Sequence, residues 1–209
     1  MKTVLCLILI FLSLVLSNLN EYEHVSLTSV FKLQNAQYNT FLHSGSLSYH
    51  SGSYQQAVTG YADQSDLNSY WQILGKHGLQ SQRGNPIKCG QKVRFQHVKT
   101  KKFLHSHQQK SPLSGKQEVS AFGNGPAGDG GDNWYVICNS NEKLWKRDSY
   151  VQFEHADTGS FLAMSGAKYR GAQGHSEVVG VDEDDLPSSK WKVEIGVFFT
   201  SETDAKSEL

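Results

Sequence analysis

The tetrapeptide Phe-Leu-His-Ser occupies residues 41–44 and again residues 103–106, and a related Phe-Leu-Ala-Met occupies residues 161–164. In each copy an apolar residue stands ten positions before the phenylalanine, a valine follows it by 16 or 17 positions, and a tryptophan follows it by 30 or 31. Self-similarity at a fixed period indicates a repeat architecture, and we interpret the recurring residues as its core. The recurring residues are Phe41, Phe103 and Phe161; Val58, Val119 and Val178; and Trp71, Trp134 and Trp191.

Each repeat predicts four short strands. The first alternates apolar with polar residues, as in Phe31 and Leu33, which is the period of a half-buried strand. A turn of five residues separates it from the Phe-Leu strand, and two further strands are centred on the valine and the tryptophan. A unit of about 60 residues is marginal alone, so three units sharing one core are expected. The prediction is an all-β single domain at 24–199, with repeats at about 24–78, 86–140 and 144–199.

Composition and charge agree with this class. The 209 residues include 19 glycines, which helix interiors disfavour, and 11% aromatic residues, which suit strands. Twenty basic and twenty acidic side chains cancel, and neither sign forms a long block. The sequence therefore gives no reason to expect a nucleic-acid or an anionic-lipid partner.

Both ends of the chain carry targeting features. Residues 4–16 are apolar apart from Ser13, too short a run to span a bilayer, so residues 1–17 are interpreted as a signal peptide cleaved after Ser17. The alternative is an uncleaved anchor; on the first interpretation the mature chain does not insert in a membrane. The chain ends in a tail, 200–209, whose last four residues differ from the Lys-Asp-Glu-Leu retention signal at one position. They are Lys206, Ser207, Glu208 and Leu209.

Two of the three cysteines remain after signal cleavage. Cys89 and Cys138 would then stand in an oxidising compartment, where a disulfide is expected, with two separate buried thiols as the alternative. The bridge would join the beginning of the second repeat to its end.

No group of residues predicts a catalytic, cofactor or metal site. His97, His105 and His107 invite a metal interpretation, but His155 and His43 are repeat counterparts of the first two, which favours structural roles. Ser-x-x-Lys occurs at both 165–168 and 189–192, so the pattern has little specificity. The glycine-rich stretch 123–132 and the acidic run 182–185 are interpreted as loops.

The repeats resemble three tandem MIR motifs, and the order of their motifs resembles the stromal-cell-derived factor 2 family. The resemblance covers about residues 24–199 and is carried by 103–107, 111–115 and 117–123, with 56–60 and 68–71 in addition. It implies a β-trefoil, with six strands in a barrel and six in three capping hairpins. It further implies residence in the lumen of the endoplasmic reticulum. Because Ser207 replaces the aspartate of the retention signal, weaker retention and partial secretion are expected in addition. The implied partners are a J-domain co-chaperone, its heat-shock chaperone and nonnative client polypeptides, in protein folding under unfolded-protein stress.

Two other functions compete with this one. Trefoils commonly hold sugars between hairpin side chains, so a lectin-like module is an alternative, with Tyr54, Tyr61 or Tyr169 at the glycan. A mannosyltransferase is a third, but the chain lacks the membrane spans and acidic catalytic loop that it would require. The sequence predicts a non-enzymatic protein, and it leaves the binding face and the oligomeric state open.

Overall fold

The structure, a computed structural model, describes residues 23–123, 128–171, 174–183 and 186–200. These residues form twelve strands, four in each repeat, which confirms the predicted all-β class. The predicted signal peptide and residues 201–209 of the predicted tail, with its retention-like signal, lie outside the described ranges, as do residues 124–127, 172–173 and 184–185. Among the helices of the described part, none has the length and apolar character needed to cross a membrane. The strands are β1 (Val30–Asn35), β2 (Phe41–Ser48), β3 (Gln56–Tyr61), β4 (Trp71–Gly75), β5 (Lys92–His97), β6 (Phe103–Lys110), β7 (Gln117–Phe122), β8 (Trp134–Ile137), β9 (Gln152–His155), β10 (Phe161–Lys168), β11 (Ser176–Val181) and β12 (Trp191–Val197).

The first and last strands of every repeat form a closed barrel. Strand β1 pairs with β4 and β12, β5 pairs with β4 and β8, and β8 pairs with β9. A bridge between Val151 and Trp191 joins the remaining two strands, β9 and β12. Closure leaves no long unpaired edge in this ring.

The second and third strands of every repeat form hairpins that cap the barrel. The hairpins are β2–β3, β6–β7 and β10–β11, and the strands β3, β7 and β11 also pair with one another. A six-stranded barrel with three capping hairpins related by a pseudo-threefold axis is a β-trefoil, so the predicted fold is confirmed.

Three backbone hydrogen bonds link one residue of each repeat in a ring that supports the barrel. One of these residues is Trp145, a tryptophan outside the three recurring positions. The N–H of Val25 donates to the carbonyl of Trp145, that of Trp145 to Ile87, and that of Ile87 to Val25, each at 2.9 Å. All three side chains are fully buried in the central cluster. The ring of Trp145 packs edge-on against Phe31 and Phe153, which anchors the first and third repeats to it.

The recurring tryptophans make the same contact in every repeat. All three are fully buried, and each indole N–H donates to the carbonyl of the leucine that follows the recurring phenylalanine. The distances from Trp71 to Leu42, from Trp134 to Leu104 and from Trp191 to Leu162 are 2.9, 3.0 and 2.8 Å. Each tryptophan therefore ties the barrel to the hairpin of its own repeat.

Two of the recurring phenylalanines, Phe41 and Phe103, are buried as predicted, whereas the third, Phe161, is not fully buried. Phe41 and Phe103 are buried outside the central cluster, whereas Phe161 is only partly buried, beside a satellite of Ala163 and Val179. Neighbouring strand residues point to opposite faces, so the leucine after each phenylalanine enters the central cluster instead. The ring of Phe103 packs under the Arg94 guanidinium at 4.7 Å.

The disulfide forms as predicted from the cysteine count. Cys89, just before β5, is bonded to Cys138, just after β8, with Cα atoms 5.5 Å apart. The bond joins the two ends of the second repeat, because a repeat enters and leaves the barrel on adjacent strands.

Candidate functional site

The three hairpins meet around the pseudo-threefold axis, where strands β3, β7 and β11 contribute equivalent residues. The second residue of each strand is Ala57 in β3, Glu118 in β7 and Glu177 in β11. The two glutamates are fully buried, although carboxylates seldom are. Hydrogen bonds to both glutamates reduce the cost of their burial, although Oε2 of Glu177 has no hydrogen-bond partner among the described residues.

Each glutamate ties a hairpin turn to the next repeat. Glu118 accepts hydrogen bonds from the hydroxyl and, at 3.4 Å, the N–H of Ser53 in the β2–β3 turn. Glu177 accepts from the hydroxyl of Ser111 and, at 3.1 Å, from the N–H of Ser114 in the β6–β7 turn. Donors of this kind offset the cost of removing a carboxylate from water. We call these two arrangements the glutamate latches.

The third equivalent position has no latch, because Ala57 has no side chain to reach the β10–β11 turn. At this place lies a cleft of about 400 Å³ that all three hairpins surround. We call it the hairpin-tip cleft. Its walls come from β2 and the following turn (His43, Gly45, residues 47–51), β3 (Ala57, Thr59), the β6–β7 turn (Pro112, Leu113), and β10–β11 (residues 169–171, His175).

The walls of the hairpin-tip cleft are predominantly apolar. Leu47 and Leu113 stand at its mouth with 61% and 42% of their surfaces exposed. Such exposed apolar side chains beside a concave surface are typical of binding sites. Arg170 is the only Lys, Arg, Asp or Glu side chain among the described residues that line the cleft.

Two tyrosines are among the residues that line the cleft. The hydroxyl of Tyr49 donates to the carbonyl of Val119 at 2.8 Å, which fixes the ring between the first and second hairpins. The hydroxyl of Tyr169 is buried near that of Tyr49 but makes no hydrogen bond of normal geometry. Burial raises the pKa of Tyr169 to about 12, and it also raises the pKa of Tyr49 well above its ordinary value. Both phenols are therefore neutral at physiological pH.

Two histidines on one wall share a hydroxyl. Thr59 Oγ1 lies 3.1 Å from Nδ1 of His43 and 2.8 Å from Nδ1 of His175, and Tyr61 stacks on the second ring at 4.4 Å. Burial, together with the neighbouring His175, lowers the pKa of His43 to about 4, against an opposing effect of Asp66. Burial also lowers the pKa of His175. This wall is therefore polar but uncharged near neutral pH.

The histidines considered as metal ligands have other roles in the structure. His97 lies 2.8 Å from the Thr100 hydroxyl and 2.9 Å from the Asn68 carbonyl, and His155 repeats the pattern with Thr158 and Gly131. These contacts brace the turns after β5 and β9, as the repeat comparison predicted.

His105 has two carboxylate neighbours that the sequence pattern did not indicate. Its Nδ1 atom lies 3.0 Å from Asp132 and 3.4 Å from Asp129, because residues 129–132, just before β8, lie against β6. The three groups are close enough to hold a metal ion. Both carboxylates, however, already accept backbone N–H groups of the turn, Asp132 from Asp129 at 2.7 Å and Asp129 from Gly131 at 3.0 Å. We therefore assign them to a capped turn.

The three tyrosines proposed as glycan contacts separate in the structure. Tyr169 lines the hairpin-tip cleft, and Tyr61 stacks on His175 in its wall. Tyr54 is 69% exposed in the β2–β3 turn and lies outside the cleft lining. Sequence reasoning missed Ala57, although its replacement of the glutamate at a repeated position was a visible signal.

A second apolar surface lies on the side of the barrel. Leu67, Ile195 and Val197 are 73%, 44% and 60% exposed there and, with Val30 and Val98, line a shallow depression between β1, β12 and the turn after β5. We call it the barrel-side patch.

Comparison with known proteins agrees with the fold and the repeats. The family model for the MIR domain matches residues 40–181. Stromal cell-derived factor 2 of Homo sapiens is 46% identical over 187 residues, which cover 88% of this chain and 86% of that protein.

Two solved structures are similar over most of the chain. The SDF2-like protein from Arabidopsis thaliana superposes with a TM-score of 0.81 at 38% identity and covers 85% of this chain and 98% of that one. The S. cerevisiae protein O-mannosyltransferase Pmt1-Pmt2 complex, solved bound to the sugar donor, superposes with a TM-score of 0.76 at 28% identity, over 85% of this chain and 26% of that one.

Proposed function

The chain belongs to the stromal cell-derived factor 2 family of MIR-domain proteins, and on this premise we propose that it is a non-enzymatic component of a chaperone complex in the endoplasmic reticulum lumen. In this role it binds a J-domain co-chaperone and the heat-shock chaperone which that co-chaperone serves. It contributes to protein folding and quality control, with nonnative polypeptides as clients. The retention-like tail, Lys206 to Leu209, and the apolar segment at the start of the sequence support the compartment.

The observation that carries polypeptide binding is the exposure of large apolar side chains at two places. Leu47 and Leu113 flank the hairpin-tip cleft, and Leu67, Ile195 and Val197 form the barrel-side patch. Grouped apolar side chains beside a depression favour association with another polypeptide, since association removes them from water.

Affinity capture tests this proposal. The full chain, with an internal tag and its own C-terminus, is expressed in cells and recovered from lumenal extract. We expect a J-domain protein and a heat-shock chaperone to be recovered, with reduced yield for a Leu67→Asp and Ile195→Asp double variant. The matched control is Leu79→Asp, because Leu79 is 58% exposed but belongs to neither surface. Failure to recover any J-domain protein would contradict the chaperone role.

Glycan binding is the second candidate. It is supported by Tyr169 and the stacked Tyr61 and His175 beside the hairpin-tip cleft, and by the similarity to part of the O-mannosyltransferase complex that was solved bound to the sugar donor. A glycan array that includes O-mannosylated peptides tests it. Binding that Tyr169→Ala abolishes would support a lectin role, whereas an array without binders would exclude it.

A further inference from the structure

The hairpin-tip cleft exists because the threefold pattern of the cap is broken at one strand. Glu118 and Glu177 fill the equivalent spaces at the other two hairpin junctions and are fully buried there. At the third junction Ala57 leaves the space open to solvent, between the walls that Tyr169 and Leu113 provide. The cleft is thus a property of this one junction and not of the fold as a whole.

The size and lining of the cleft restrict what it can hold. Its volume of about 400 Å³ is near the lower end of ligand pockets, enough for one large side chain with its flanking backbone. The walls are mainly carbon, with Leu47 and Leu113 at the mouth. An apolar side chain, above all an aromatic one, matches this lining better than a sugar, whose hydroxyl groups each require a hydrogen-bonding partner.

The Lys, Arg, Asp and Glu side chains on the hairpin tips are all basic, although the carboxylate of Asp66 lies 3.6 Å from Nε2 of His43 in the cleft wall. The hairpin tips, residues 48–56, 110–117 and 168–176, contain four basic residues and no acidic one, although the whole chain is balanced. The four are exposed, and they are Lys110, Lys116, Lys168 and Arg170. The nearest acidic groups on these strands, Glu118 and Glu177, are buried and engaged in the glutamate latches. Arg170 in the cleft lining, together with the exposed lysines of the second and third hairpin tips, therefore favours carboxylates in a bound partner.

We propose that the hairpin-tip cleft binds an extended polypeptide segment in which an apolar side chain is flanked by acidic residues. The apolar side chain enters the space above Ala57, and the acidic residues face Arg170 and the lysines of the hairpin tips. This inference rests on the proposed function, since it names the class of segment that a polypeptide-binding role would use.

Fluorescence anisotropy with a labelled peptide of sequence Gly-Asp-Asp-Trp-Asp-Asp-Gly tests the proposal on the full mature chain. Ala57→Leu should weaken binding by about tenfold or more, because the added carbons occupy the space for the tryptophan. Arg170→Glu should weaken it by about fivefold at low salt and less at high salt, because exposed charges are screened.

Matched controls separate the cleft from general effects. Leu79→Ser and Lys76→Glu alter exposed apolar and basic side chains away from the hairpin tips and should leave the affinity unchanged. Arg170 is exposed, so Arg170→Glu should not disturb folding. This variant therefore still tests the cleft if Ala57→Leu fails to fold.

Peptide variants provide the opposing outcomes. A peptide with alanine in place of tryptophan, or with lysine in place of aspartate, should bind at least about tenfold more weakly. Equal binding of the alanine peptide would show a general polyanion surface and overturn the proposal. Full affinity in both cleft variants would overturn it as well.

The two proposals fail independently. Recovery of a J-domain protein from lumenal extract without any peptide binding would overturn the cleft inference alone. Peptide binding that Ala57→Leu abolishes, without recovery of a J-domain protein, would overturn the chaperone role alone.

Discussion

The barrel and the hairpin layer of this molecule follow the threefold repeat to different degrees. In the barrel all three tryptophans are fully buried and make the same indole-to-carbonyl hydrogen bond. In the hairpin layer only two of the three junctions have a glutamate latch, and the third is the hairpin-tip cleft. The difference indicates that equivalent residues make equivalent contacts where all three repeats pack into one interior. This equivalence is lost where a hairpin junction borders solvent.

Alanine substitutions of the tryptophans should produce the largest effects and test the equivalence of the barrel positions. Trp71→Ala, Trp134→Ala and Trp191→Ala should each lower the free energy of unfolding by about 4 to 6 kcal/mol, from lost packing and one lost hydrogen bond. Urea denaturation followed by circular dichroism measures the change. A loss below about 1 kcal/mol at any one position would show that the barrel is not equivalent in the three repeats.

The recurring phenylalanines should show unequal effects, since they belong to the hairpin layer. Phe103→Ala should cost about 3 to 5 kcal/mol, because Phe103 is fully buried under Arg94. Phe161→Ala should cost about 1 to 2 kcal/mol, because Phe161 is only partly buried. Thermal and urea unfolding of the two variants side by side would reveal this difference. Equal losses would contradict the asymmetry of the layer.

Stability should fall as the pH decreases from about 6.5 to about 4, because the folded pKa of His43, about 4, lies below that of the unfolded chain. In this window the unfolded chain binds a proton that folded His43 does not, so protonation favours unfolding. The loss from His43 is at most about 3 kcal/mol. Burial lowers the pKa of His97, His155 and His175 as well, which acts in the same direction.

The control for this prediction is His43→Gln. Its midpoint of urea denaturation should decline less between pH 6.5 and 4 than that of the unmodified chain. Equal slopes would mean that His43 does not contribute to the pH dependence.

The smallest effect is expected in the turns that follow β1, β5 and β9. Asn39, Lys101 and Gly159 hold equivalent positions there with φ of 52°, 61° and 75°, a region that favours glycine. Lys101→Gly should therefore raise the stability by about 0.5 to 1 kcal/mol despite the added freedom of the unfolded chain. Differential scanning calorimetry can detect the rise, and a fall in melting temperature would refute it.

Much of the fold could be predicted from the sequence because its determinants are local. The period-2 alternation around Phe31 and the regular offsets of the tryptophans each act within one repeat, and they predicted all twelve strands. The partial exposure of Phe161 could not be predicted, because an offset identifies an equivalent position but not how much neighbouring structure covers it. The carboxylate neighbours of His105 could not be predicted either, because they lie more than 20 residues away in the chain.

By itself, the sequence determined the all-β class, the number of strands and repeats, and the pairing of the only two cysteines that follow the predicted signal peptide, since periodicity and count are properties of the chain. Only the tertiary structure decided the candidate site. Ala57 becomes the floor of a cleft because β3 lies beside β11 in the cap. The equivalent residue of β11, Glu177, stands 120 positions later in the chain, so this proximity arises only on folding. Arg170 enters the lining of the cleft only because the three hairpins converge, and no linear pattern of charge records that convergence.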